Sequence, residues 1–202
     1  AAGPSPYAGL RVIELSQTLA GRLAGQLFAD QGAEVYRADA PPVEGLDDTY
    51  FNRGKLIVPA GGLDDTSSAD VVIVDGDAPV DRQPHQIVMR VVAALPGDEV
   101  YGHLPADCSE DLVNALVGFF TDMAVTGPML GRPVIYTPLP LCSVYAATNG
   151  AIAVAEALVD RTRTGLGREV HASRIAGGLS AIGALTITDD GLPPHLKPIQ
   201  IG

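Results

Sequence analysis

Two cations stand together in Asn52-Arg53-Gly54-Lys55, just ahead of a β-branched run. Paired Arg and Lys are what an anion such as a phosphate requires, although a turn with solvated charges uses the same residues. Cys142 is a second candidate, because it falls at the start of a long helical pattern where a thiolate would be stabilised. A buried, inert cysteine satisfies that position equally well. The histidines His85, His103, His171 and His195 are scattered, and none pairs with an acid at helix spacing, so no metal site follows from them. Cys108 and Cys142 are too few for a disulfide framework or a zinc site. The chain has no G-x-S-x-G elbow and no Walker pattern, and no catalytic residue is assigned.

These groups need elements to carry them, and the first half of the chain supplies short β-branched runs separated by turn residues. Strands are expected at Leu10–Leu15, Ala33–Asp39, Lys55–Val58, Ala69–Val74 and Gln86–Ala93. Leu19–Asp30 reads as a helix, with Ser16 and Thr18 available to cap it and Gly32 to stop it. Strand, helix and strand in that order imply parallel pairing. Val71 to Val74 is apolar at every position, as a strand covered on both faces should be. The polar stretch between Ala40 and Asn52 reads as a loop.

The second half changes period. A helix is expected from a Ser109 cap to about Val125, with Glu110 and Asp111 in its first turn where the dipole favours acids. A Pro-rich passage from Gly131 to Leu141 leads to a long Ala-rich helix, Ser143 to Arg163, closed by Gly165 and Gly167. A last helix, Ala172 to about Leu185, contains Gly177, Gly178 and Gly183, which cost stability unless they allow close approach. The class is therefore α/β: an open, mainly parallel, Rossmann-like sheet with helices on both faces, followed by a helical segment.

The turn after the first strand, Glu14-Leu15-Ser16-Gln17-Thr18-Leu19-Ala20-Gly21-Arg22, is where such a fold receives ligands. It lacks G-x-G-x-x-G, so it is not the pyrophosphate fingerprint of a nicotinamide or flavin enzyme. Its small residues serve either a ligand approaching the backbone or a helix packing tightly on a sheet. A net charge of -11 argues against a nucleic-acid partner. No apolar run reads as a membrane span and no signal pattern opens the chain, so a cytoplasmic protein is expected.

Several segments, in the same order, resemble the CoA-transferases of family III, the group of formyl-CoA transferase, carnitine CoA-transferase and α-methylacyl-CoA racemase. They are Tyr7 to Ser16, Leu19-Ala20-Gly21, Gln26 to Val35, Asn52 to Lys55 (the family's N-x-x-K) and Ala69 to Val72. Asn114 to Gly118 with Thr126-Gly127 continues the series, and Arg161 to Arg168 resembles R-x-x-T-G-x-G-Q. The resemblance implies an open parallel domain that binds CoA or an acyl-CoA ester as substrate, with no covalently bound cofactor. It makes residues 1–202 the N-terminal part of the large domain, without the family's small domain, in an oligomer with itself or with another CoA-transferase-like chain. Carried over, the CoA contacts are Thr18, Leu19 and Ala20 through backbone, Arg53 and Lys55 at phosphates, and Asp75 and Gly76 after the fourth strand. The family's nucleophile is an aspartate just before the long helix, where this sequence has Leu141-Cys142-Ser143-Val144-Tyr145 and no carboxylate. Either an unusual residue or a carboxylate from another segment does that work, or the chain is an inactive CoA-binding or structural partner, or it binds another small ligand.

Overall fold

β-Branched residues make up most of the central runs Val71–Asp75 and Ile87–Val92, around which the sheet assembles from short parallel strands. The computed structural model describes residues 5–39, 48–59, 61–63, 65–120 and 136–186. The strands are β1 (Arg11–Glu14), β2 (Glu34–Ala38), β3 (Leu56–Val58), β4 (Val71–Asp75), β5 (Ile87–Val92) and β6 (Glu169–Ser173). The helices are α1 (Leu19–Asp30), α2 (Asp48–Phe51), α3 (Glu110–Leu116), α4 (Leu141–Thr164) and α5 (Arg174–Thr186). The sheet order is β3-β2-β1-β4-β5-β6 and every neighbouring pair is parallel. The chain reverses its lateral direction between β1 and β4, which makes that crevice the topological switch point.

Alternation along the strands divides the core. Val12, Val35, Val71, Ile73, Met89 and Ala172 face Ala20, Ala24 and Phe28 of α1 and Ala146, Ala147 and Val154 of α4. Ile13, Val72, Val74 and Val88 face the other way, against Leu63, Ala69, Ala78 and Val80 from the connections around β4. A third cluster, Ala94, Val113, Val117, Phe119, Cys142, Ile175 and Ile182, ties α3, α4 and α5 together. The α4–α5 contact is close because Gly177 leaves room: a Cβ there would lie 2.6 Å from Ala146 N. Gly178 is equally tight, since a Cβ there would lie 2.6 Å from Cys142 Sγ.

Some expectations change. Glu169–Ser173 forms an edge strand, Val88↔Glu169 to Val92↔Ser173, where the last helix was expected to open at Ala172. Five residues carrying Glu, His and Ser show too little periodicity to announce a strand, and pairing with β5 decides the matter. A single helical turn at Asp48–Phe51 interrupts the expected loop. The helix expected to reach Val125 is α-helical only to Leu116, then turns through Gly118 at φ +86°; positions beyond 120 lie outside the described residues. The Pro-rich passage up to position 135, Thr126-Gly127, His195 and the extended tail also lie outside them. α4 starts two positions early, at Leu141, and ends at Gly165 with φ +71°. It is also long and apolar enough to cross a membrane, contrary to the sequence reading, with mean hydropathy 1.3 over its most apolar window. That is weak evidence, since one side of α4 packs into the core described above.

Candidate functional site

Parallel strands deliver their C-terminal ends to one edge, and the residues there build the crevice. At the end of β4, Asp75 reaches across to the β1–α1 turn. Its Oδ2 accepts from Gln17 N at 2.6 Å and Thr18 N at 3.3 Å. Its Oδ1 accepts from Ser16 Oγ at 2.5 Å and Thr18 Oγ1 at 2.9 Å. Thr18 caps α1, its Oγ1 accepting from Gly21 N at 3.3 Å. Gly21 is required here, because a Cβ would fall 1.9 Å from Ser16 Oγ. Leu19 and Ala20 open the helix beside this turn, Leu19 half-buried and Ala20 fully buried.

Next to Asp75, Gly76 adopts φ +51° and its carbonyl accepts from Arg90 Nη1 at 2.9 Å, as does Ala78 O at 2.8 Å. Arg90 thereby fixes the chain leaving β4. Beyond it lies a cavity of about 340 Å³ on the loop-covered face, and a separate one of about 330 Å³ at the ends of β4 and β5. The latter is walled by Gly76, Asp77, the stretch Val92 to Pro96, and Gly102 to Ala106, without Gly102's neighbour His103. Small and neutral groups make most of that wall.

The structure brings Thr18, Leu19, Ala20, Asp75 and Gly76 to one edge and separates Arg53 and Lys55 from them. Lys55 is not turned toward a ligand. Its Nζ is buried, 2.6 Å from Glu14 Oε2 and 2.8 Å from Arg22 O, and Glu14 also meets Arg37 Nε at 3.1 Å. Burial pushes the Glu14 carboxyl up to about 7 against the pull of Lys55 and Arg37, and burial likewise holds Lys55 below its usual value. Arg53 pairs with Asp30 at 2.7 Å, at the far end of α1 from Thr18. Twelve helical residues span about 18 Å, so Arg53 stands at the opposite edge of the sheet. The N-R-G-K motif is thus a structural lock on α1 and β2: burial overturns the phosphate role for Lys55, while exposed Arg53 stands about a helix length from the crevice.

A group the sequence did not single out for chemistry is Glu110. From the first turn of α3 it spans 33 residues to the start of α4, accepting from Ser143 N at 3.0 Å and Ser143 Oγ at 2.6 Å. Arg174 Nη2 donates to the same carboxylate at 2.7 Å, while Arg174 Nη1 donates to Ala106 O and Cys108 O. Pro140 gives α4 no side-chain cap, so Glu110 supplies from another helix the acceptor that α4 lacks. Ser143 is buried, and Cys142 is buried with its thiol pushed up to about 12 by desolvation. No local spacing could have joined residues 110, 143 and 174.

Comparisons with known proteins point to one family for this fold. The family model described as CoA-transferase family III matches residues 7–53. CoA-transferase/lyase DddD of Marinomonas sp. (strain MWYL1) is 27% identical over 96% of this chain and 26% of its own length. The probable fatty acyl-CoA transferase Rv3272 of Mycobacterium tuberculosis is 30% identical over 87% of this chain and 52% of its own. A crystal structure of Rv3272 superposes with a TM-score of 0.69 at 28% identity, covering 90% of this chain and 59% of that one. The chain is a relative of the family III CoA-transferases and shares their α/β fold. It spans about half the length, or less, of the curated relatives it matches.

Proposed function

We propose that this chain binds acyl-CoA esters along the C-terminal edge of its sheet, as part of a cytoplasmic protein that transfers CoA between carboxylic acids. The observation that carries this is the cavity at the ends of β4 and β5, about 330 Å³, in a chain related to that family. A pantetheine arm is narrow and uncharged, with two amides, and a wall of Gly, Ala, Pro and backbone suits it better than it suits rings or ions. Gly76 is part of that wall, and its neighbour Asp75 is hydrogen-bonded to Thr18. Calorimetric titration with CoA and with a short acyl-CoA tests the reading. Saturable binding that Ala94→Phe weakens severalfold and Arg53→Ala leaves alone supports it; no binding of either ligand ends it.

A second reading has its own observation. Around the start of α4 both Glu110 oxygens and the Ser143 hydroxyl are engaged, and the Cys142 thiol is held protonated. Among the described residues there, no free nucleophile faces a ligand, which favours a CoA-binding partner for a chain that carries one. Val144, Tyr145, Ile152 and Val159 are exposed along α4, an apolar face suited to such an oligomer. Turnover of acyl-CoA by the purified chain alone, with free CoA release followed by thiol detection, would eliminate the partner reading.

A further inference from the structure

The switch-point crevice of a parallel sheet ordinarily offers anions the amide groups that open its first helix. Here the two amides that lead into that helix, those of Gln17 and Thr18, are already taken. Gln17 N and Thr18 N both donate to Asp75, and the hydroxyls of Ser16 and Thr18 donate to the same carboxylate. Four donors converging on one carboxylate reproduce the pattern of an anion nest, with the anion built into the chain. Asp75 comes from β4, the strand beside β1, so the sheet register itself holds the carboxylate in place, Glu14↔Ile73 lying two positions before it. Gln17 is exposed and Asp75 half-buried, so the turn stands at the protein surface and solvent ions reach its edge.

We infer that Asp75 is a specificity-determining residue: it occupies the anion position of the β1–α1 turn and keeps ligand phosphates out of the switch-point crevice. This rests on the proposed acyl-CoA reading and sharpens it. The uncharged arm of the ligand passes the turn, and the phosphates are held elsewhere, because a second anion at this turn would meet a like charge at contact distance and find the Gln17 and Thr18 amides occupied. Asp75 is accordingly a selector at the crevice, not a phosphate contact.

The test uses the whole chain and inorganic pyrophosphate as probe, read by the backbone amide shifts of Gln17 and Thr18. The wild type shows no saturable shift at these amides. Asp75→Asn, which keeps one oxygen acceptor for the hydroxyls and loses the charge, gains saturable shifts there, with affinity higher by about tenfold or more, the worth of one like charge near the site. Asp75→Ser serves as a second neutral variant should Asn perturb folding. Saturable pyrophosphate shifts at Gln17 and Thr18 in the wild type overturn the proposal, and so does a folded neutral variant with no gain. CoA titrated in parallel separates the two ideas. Failure of CoA to bind either protein removes the acyl-CoA reading, while the pyrophosphate comparison still decides what Asp75 does.

Discussion

At the end of β1 the Glu14 carboxylate lies wholly inside the protein, in contact with Lys55 and Arg37. At the start of α4 the Glu110 carboxylate comes in from α3 with 22% of its side chain still exposed, and meets a helix end and Arg174. The first acid is surrounded by cations that had to be desolvated along with it, so its burial is costly and its value lies in fixing which elements meet. The second acid satisfies donors that a helix leaves open in any case, at partial exposure, so its cost is smaller and it links three helices at one point. Charge burial at β1 thus joins β1, β2 and the turn before β3, and charge capping at α4 joins three helices.

Removing one partner from the β1 cluster breaks the comparison most sharply. Lys55→Ala leaves Glu14 buried without its nearest cation, and we expect unfolding free energy to drop by about 3–5 kcal/mol in urea titrations. The double variant Glu14→Gln with Lys55→Met, of similar shape and without either charge, should recover much of that loss. A Lys55→Ala loss below about 1 kcal/mol would mean the cluster behaves like a surface pair. At α4 the effect is smaller: Glu110→Ala should cost about 2 kcal/mol, the range for hydrogen bonds to a charged group. Equal losses at the two sites would erase the distinction between them.

The acidity of Glu14 gives the next effect in size. Its carboxyl titrates at about 7 in the folded chain against 4.5 ordinarily, so between those values the folded state holds the extra proton. The stability it contributes is complete below about 4.5 and is lost as the pH rises toward 7. Urea midpoints measured across that window should decline for the wild type, and Glu14→Gln should flatten the part due to this group. A wild-type midpoint that climbs through the window with Glu14→Gln unchanged would show the carboxyl ionised throughout.

How much of this could be read in advance varies with the kind of signal. Val71–Val74 is apolar at every position, which only a strand covered on both faces explains, and it is one. Thr18 and Ser109 announced the starts of α1 and α3 because capping is local. Glu169–Ser173 was missed because an edge strand needs only one partner and carries no alternation strong enough to see. Among the site residues, Thr18, Asp75 and Gly76 come to one edge, since strand ends share an edge whatever the details. The contacts of Glu110 with Ser143 and Arg174 span 33 and 64 positions, and nothing local encodes them. Lys55 shows the opposite error: the motif was seen correctly, but two neighbouring cations separated by a glycine do not reveal that one points into the core.

That contrast within a single motif sets the smallest prediction. Arg53 and Lys55 are two positions apart, yet the turn at Gly54, with φ +73°, sends one side chain to solvent and the other inward. Arg53 lies on the surface over Tyr50 and against Asp30, whose carboxyl its guanidinium holds below the usual range. Exposed pairs of this kind are screened and contribute little. Arg53→Ala should therefore leave the urea midpoint and the affinity for CoA within experimental error of the wild type, while Lys55→Ala moves the midpoint strongly. A clear loss of CoA affinity in Arg53→Ala, with stability intact, would bring the ligand's phosphates around to the edge of the sheet where α1 ends, and the crevice would then hold only the far end of the molecule.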